Sequence, residues 1–207
     1  MARILYITYD GILEPLGQSQ VLNYLESLAK NHEIVLMSFE KKQDKKNVSY
    51  FNKIEKRCLQ SGIIWVNLLY HKSLLGTFYD IMKGFFKGLI FKISYKIHIV
   101  HARSYLPSLI SLLLKKISGT KFVFDMRGLW ADEKADSGRW NRNGILYKLT
   151  KRLEIIFLKE ADKVVSLTDA AVQEIKTFPT LESEKLDFEV IRTCTDLSMF
   201  RPSNKFS

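Results

Sequence analysis

The sequence predicts a doubly wound, mostly parallel α/β sheet of the Rossmann-like type, and three observations carry that prediction. Seven short apolar runs alternate with longer stretches of helical spacing along the 207 residues. The runs are continuously apolar, as in strands whose two faces are both covered. Strands separated by helices pair in parallel through right-handed crossovers.

In order, residues 3–8 (RILYIT) read as a buried strand. Residues 18–30 read as a helix with Val21, Leu22, Leu25, Leu28 and Ala29 on one face. A second strand spans 33–39, and a helix over 47–60 is stopped by Ser61-Gly62. A third strand covers 63–69, a long helix 74–95 and a fourth strand 97–102. A helix over 106–117 ends at Ser118-Gly119, and a fifth strand covers 121–126. A polar stretch with Gly128, Gly138 and Gly144 leads to a helix over 145–161. A strand at 163–167, a short helix at 169–176 and a strand at 188–192 complete the pattern. Residues 1–200 form one domain, and 201–207, with Pro202, read as the start of an interdomain linker.

Composition bounds the function. Hydrophobic residues at 46% and charged residues at 26% exclude a disordered chain. Cys58 and Cys194 are far apart, without metal-ligand spacing, so neither a disulfide framework nor a zinc site is expected. The N-terminus runs straight into a strand with no apolar signal core, which predicts a cytoplasmic protein. No apolar run reaches the ~18 residues of a spanning helix; the nearest, at 74–93, is interrupted by Asp80, Lys83, Lys87 and Lys92. The net charge of +10 suits nucleic acid, an anionic membrane surface or phosphorylated ligands.

In doubly wound sheets ligands bind beyond the carboxyl ends of the strands, so chemistry is sought there. After the first strand, Gly17 precedes a helix whose free N–H groups and dipole suit a phosphate. The alternative is a turn glycine with Ser19 as the cap. The pattern is not G-x-G-x-x-G, so no dinucleotide fingerprint is present. His101 and Arg103 lie at the carboxyl end of the fourth strand, and His98 falls on the opposite side from His101. After the fifth strand, Asp125 and Arg127 project to one side. Arg127 can grip a phosphate or carboxylate, and Trp130 can stack on a sugar face. The alternative is an internal Asp125–Arg127 pair with Trp130 as an apolar plug. Arg139-Trp-Asn-Arg142 continues as a basic, aromatic loop.

The 74–95 helix places Leu74, Phe78, Ile81, Phe85, Leu89 and Ile93 on one face, with Asp80, Lys83 and Lys87 opposite. Phe86, Ile90 and Phe91 widen the apolar surface, and Lys92 and Lys96 lie nearby. This helix either packs on the sheet with its lysines solvated, or also rests on anionic lipid headgroups.

Five motifs together resemble the N-terminal domain of family 4 ("group 1") glycosyltransferases. They are Asp10-Gly-Ile-Leu-Glu-Pro-Leu-Gly-Gln-Ser-Gln20, Val100-His-Ala-Arg-Ser-Tyr-Leu-Pro107, Phe124-Asp-Met-Arg-Gly-Leu-Trp-Ala-Asp-Glu133, Ala161-Asp-Lys-Val-Val-Ser-Leu-Thr168 and Val190-Ile-Arg-Thr-Cys-Thr-Asp-Leu-Ser-Met-Phe-Arg-Pro202. The resemblance runs over nearly the whole chain. It implies one of the two domains of a GT-B enzyme that moves a sugar from a sugar nucleotide to a hydroxyl acceptor, in cell-surface polysaccharide or glycolipid synthesis. It implies a mostly retaining, metal-independent reaction with no cofactor, the sugar nucleotide being a substrate. Most donor contacts, including paired glutamates, belong to a C-terminal domain, so this chain alone is expected to be inactive.

By the same match Gly17 and Gln18 lie on the donor's diphosphate side, where the family often has a double glycine and this chain has Leu16-Gly17. Many members carry a histidine just after the fifth strand. Here Asp125 and Arg127 stand there and become the catalytic candidates. His101, Arg103, Trp130 and Glu133 are assigned to the acceptor. Bacterial relatives commonly act on lipid-linked acceptors, which places the chain peripherally at the inner face of the cell membrane. The rival is a non-catalytic Rossmann-like module with a basic membrane- or nucleic-acid-facing surface. Nucleic acid is the weaker form, since the lysines are scattered and no recognised motif is present. A reading frame that continues into a second Rossmann-like domain separates the two.

Overall fold

The computed structural model describes residues 1–194. Seven parallel strands form one sheet in the order β3-β2-β1-β4-β5-β6-β7. They are β1 (Arg3–Thr8), β2 (Glu33–Glu40), β3 (Ile63–Leu69), β4 (Ile99–Arg103), β5 (Lys121–Met126), β6 (Lys163–Ser166) and β7 (Phe188–Val190). The chain winds outward from β1 through β2 to β3, then crosses back to β4 on the other side of β1. The order therefore reverses between β1 and β4, and this is the topological switch point.

Right-handed crossovers make the two winding directions place their helices on opposite faces. On one face Tyr6, Ile34 and Leu36 pack against Val21, Leu22 and Leu25 of the first helix and Ile54 and Cys58 of the Val48–Gln60 helix. On the other face Leu5, Ile7 and Val100 pack with Ile81, Phe85, Ile110 and Leu114. Further along that second face, Phe122, Phe124 and Val164 pack with Phe157, Leu158 and Ile175. The helices after β4, β5 and β6 thus share one face. Beyond β1, the opposite face of β4–β6 has no helix of its own among the described residues.

The first helix starts earlier than its apolar spacing predicts. Pro15, with its φ already set for the first helical position, opens the segment Pro15–Gly17, followed by a wider π turn Gln18–Leu22 and the α-helix Asn23–Ala29. Gly17 is therefore a helical residue, with φ −62° and ψ −35°. Ser19 does not cap: its hydroxyl donates to Leu16 O at 3.2 Å. The expected linker at 201–207 lies outside the described residues.

The long helix, Leu74–Ser94, is capped by Ser73, whose hydroxyl accepts from Gly76 N at 3.1 Å. Its buried side matches the predicted one in part: Ile81 and Phe85 are buried and Leu89 packs against the core, but Asp80, Gly84 and Gly88 also face inward, whereas Leu74, Phe78 and Ile93 are exposed. Two causes rotate it. A Cβ on Gly84 would stand 2.8 Å from Ile110 Cδ1, and one on Gly88 2.7 Å from Leu114 Cδ1, so the glycines let the Tyr105–Ser118 helix approach closely. Asp80 is drawn inside by partners: it accepts from the Tyr9 hydroxyl at 2.8 Å and His71 N at 2.9 Å, and its other oxygen lies 2.6 Å from His71 Nδ1. A fully buried carboxylate is tolerated because it is satisfied on both oxygens. No helix of the described residues is long and apolar enough to cross a membrane.

Candidate functional site

A pocket of about 590 Å³ opens at the carboxyl ends of β1, β4, β5 and β6, on the face that lacks its own helices. Side chains alternate along strands, and the strand register brings one set together. Tyr6 on β1 pairs with His101 on β4, and Arg103 on β4 pairs with Asp125 on β5, which in turn pairs with Val165 on β6. All five line the pocket. Ser19, Gln20, Asn23 and Tyr24 of the first helix form the opposing wall, and residues 191–194 close one end. The π turn carries Ser19 and Gln20, and such turns recur at functional sites.

His101 and Asp125 form the centre. His101 Nε2 lies 3.5 Å from Asp125 Oδ2, at the outer edge of hydrogen bonding, and Nε2 and Oδ1 are buried without a hydrogen-bond partner among the described residues. Tyr6 stacks on the His101 ring at 4.6 Å and its hydroxyl donates to Asp125 Oδ2 at 3.5 Å. Burial alone would raise the Asp125 carboxyl, but His101, Arg127 and Arg103 hold it below the ordinary carboxylate range. Burial, reinforced by Asp125, pushes the Tyr6 phenol far up, so it stays a neutral donor.

Two guanidinium groups flank this pair. Arg103, 4% exposed, donates from Nη2 to Gln20 Oε1 at 2.6 Å and approaches Asp10 at 3.5 Å, while its Nη1 is buried without a partner. Arg127, 22% exposed, donates to the same Gln20 oxygen at 3.2 Å and to Thr193 Oγ1 at 3.1 Å; its Nη1 lies 3.7 Å from Asp125 Oδ1. Burial lowers the Arg127 pKa, Asp125 opposes that shift, and Arg103 adds to it.

Backbone strain marks the same spot. Ser104, next to Arg103, has φ 70° and ψ −171°, a region almost reserved for glycine. Its N–H donates to Asp125 O at 2.9 Å, and the helix starts at Tyr105. The sharp exit ends β4 with Arg103 facing the pocket.

His101, Arg103, Asp125 and Arg127 therefore come together, and the other sequence candidates lie elsewhere. Gly17 is buried behind the pocket wall: a Cβ there would be 2.1 Å from Gly11 O. Gln18 bonds the Tyr50 hydroxyl through its amide nitrogen. The turn they abut is held by Glu40, which accepts from Ile12 N at 3.0 Å and Leu13 N at 3.2 Å and whose pKa burial raises. Trp130 packs on Tyr105 and, edge-on, on Trp140. Glu133 crowds Gly128, where a Cβ would meet its carboxylate. Neither residue lines the pocket. Arg142 of the basic loop pairs with Asp132 and Asp136. Sequence reasoning missed Tyr6, Gln20, Asn23, Tyr24 and Arg192. Tyr6 shares the His101 face through the β1–β4 register, which alternation within one strand does not supply. Among the described residues, no group of three or more His, Cys, Asp or Glu is placed to hold a metal.

Fold and pocket together define a Rossmann-like α/β domain of the GT-B type. The chain belongs to Glycosyltransferase Family 4, whose model matches residues 17–198. No curated protein matches the sequence. Sucrose-phosphate synthase from Thermosynechococcus elongatus superposes with a TM-score of 0.65 at 11% identity, covering 98% of this chain and 51% of that one. Anabaena HepE, solved with UDP and glucose, gives 0.62 at 11% identity, covering 99% and 47%. Medicago truncatula UGT71G1, complexed with UDP-glucose, gives 0.61 at 10% identity, covering 100% and 54%. The chain thus spans about half the length of these structures, and identities this low speak for the fold alone.

Proposed function

We propose that this chain is the acceptor-side half of a glycosyltransferase that moves a sugar from a sugar nucleotide to a hydroxyl acceptor, in cell-surface polysaccharide or glycolipid synthesis. The observation that carries this reading is the pocket at the switch point, where ionised Asp125 stands beside His101 and two arginines. Asp125 and His101 would receive and orient the acceptor hydroxyl, and Arg127 would stabilise charge that develops at the reacting centre. Gly17 would act indirectly, by letting the first helix close on the Gly11 turn, which would then face the donor's diphosphate. The reaction would be retaining and need neither metal nor cofactor. The donor's other contacts would come from a second domain, and this chain spans about half the length of the solved structures it resembles.

A peripheral position on the inner face of the cell membrane fits the outer side of the Leu74–Ser94 helix. Leu75, Phe78, Tyr79, Phe86, Ile90 and Ile93 are all exposed there, and Lys83 and Lys87 flank them. An apolar stripe bordered by lysines suits anionic headgroups, as does the net charge of +10.

The test compares the 207-residue chain with the product of its whole reading frame. Each is supplied with common sugar nucleotides and with free and lipid-linked sugar acceptors. Transfer by the whole product only is expected. Transfer by the 207-residue chain alone, or a frame that ends at Ser207, contradicts the half-enzyme reading.

A further inference from the structure

We infer that the pocket is built for an acceptor carrying an oxyanion, a phosphate or a carboxylate, which docks at Arg127 and Arg192 with Arg103 behind them; this rests on the acceptor-side reading of the same pocket. The charge inventory carries the argument. Among the described residues the walls contribute three guanidinium groups, Arg103, Arg127 and Arg192, and one carboxylate, Asp125. Arg192 is also paired with Asp169 at 2.5 Å, but both are two-thirds exposed, so that pair is easily exchanged for another anion. Asp10, a further acid near Arg103, is 3.5 Å away and half exposed.

Among the described residues the inner arginines are left short of partners. Arg103 and Arg127 converge on one neutral oxygen, Gln20 Oε1, and Arg103 Nη1 is buried with none. Asp125 cannot answer both, since its Oδ1 is 3.7 Å from Arg127 and makes no hydrogen bond. Tyr24, Val165 and Ile191 make the surroundings apolar, where uncompensated charge is costly. The strained Ser104 backbone holds Arg103 in this place despite that cost.

A bound oxyanion resolves the imbalance. Guanidinium groups bind phosphate and carboxylate through paired, charge-assisted hydrogen bonds. A volume of about 590 Å³ accommodates a sugar bearing such a group. The arginines share their wall with Asp125 and His101, so an anion docked on them brings the rest of the same molecule to that pair. This shared wall assigns the oxyanion to the acceptor.

The experiment measures binding of glucose, glucose 6-phosphate, glucuronate and UDP to the chain by calorimetry at low salt. Wild type is compared with Arg127→Gln and Arg192→Gln, both on exposed or part-exposed side chains, each first checked for an unchanged melting temperature. At least one charged sugar is expected to bind about 10-fold or more tighter than glucose, with most of that preference lost in Arg127→Gln. The phosphate and carboxylate arms tell which oxyanion the pocket prefers. Equal binding of glucose and both charged sugars, no binding of either charged sugar at millimolar concentration, or a preference unchanged in both variants overturns the inference. Arginine-dependent binding of UDP without either charged sugar overturns the assignment to the acceptor. Charged-sugar binding with no transfer by the whole product would leave the oxyanion preference of the pocket standing and remove its assignment to an acceptor together with the transfer reading. Transfer only to neutral acceptors would do the reverse.

Discussion

Arg103 and Asp125 are register partners at the ends of β4 and β5, and their side chains emerge on the sheet face that no described helix covers beyond β1. The sheet's own winding leaves that face open, so a pocket there follows from topology before any side chain is considered.

Replacing Arg127 by Ala in the whole enzyme should lower kcat/KM by about 1.5–3 kcal/mol, the scale of a charge-assisted hydrogen bond. Arg127 is part-exposed, and its ion pair at 3.7 Å is long, so the melting temperature should move little. Steady-state kinetics and thermal melts on the same preparation check this. A large loss of stability with normal kinetics per folded molecule would mean the Asp125–Arg127 pair is structural.

Asp125 gives a pH signature. Its folded pKa is held below the unfolded value, so the ionised carboxylate adds stability that is fully present above the unfolded pKa of about 3.9. That contribution is lost as pH falls through the folded value. The melting temperature of wild type should therefore exceed that of Asp125→Asn at neutral pH, and the gap should close below about pH 4. Melts from pH 7 down to 3 read it directly, and a gap independent of pH refutes the assignment.

Ser104 and Gly17 should respond in opposite directions to glycine–alanine logic. Ser104→Gly relieves a backbone conformation costing of order 1–3 kcal/mol, and the serine side chain makes no capping bond, so stability should hold or rise by up to about 1 kcal/mol. Gly17→Ala drives a methyl into Gly11 O, which is backbone and cannot swing away, and should cost about 2 kcal/mol or more. Urea unfolding of both variants decides. A neutral Gly17→Ala would mean the helix is not seated against that turn.

The membrane reading predicts salt-sensitive co-sedimentation with anionic but not neutral vesicles. Phe86→Glu with Ile90→Glu should abolish it, and Lys83→Glu with Lys87→Glu should weaken it several-fold, each lysine near such a surface being worth about 1 kcal/mol. Binding unchanged in both double variants would remove this helix as the attachment site.

The strands were legible because buried parallel strands advertise themselves as unbroken apolar runs. Five of the helices fell within one or two residues of their predicted ends, where caps and glycines punctuate the sequence. The face of the Leu74–Ser94 helix was legible only in part, at Ile81, Phe85 and Leu89. Its inward side carries two glycines and an aspartate, which hydropathy counts as outward, and only the Tyr9 and His71 partners of Asp80 reverse that. The pocket was half legible. Position at strand ends found His101, Arg103, Asp125 and Arg127, whereas Gln20 and Tyr24 belong to a helix face set by a π turn that apolar spacing does not reveal. Trp130 and Glu133 lie outside this pocket, because the chain turns away from Asp125 into the Trp130–Asp136 helix.

The central claim is that this chain supplies the acceptor side of a transfer site. The most direct measurement is the rate of transfer by the whole enzyme carrying His101→Ala or Asp125→Asn, set beside its affinity for the donor's nucleoside diphosphate. The account predicts a loss of transfer of about 100-fold or more with nucleotide affinity unchanged within a factor of about two. Transfer that survives both substitutions, or nucleotide affinity that falls in step with the rate, would contradict it.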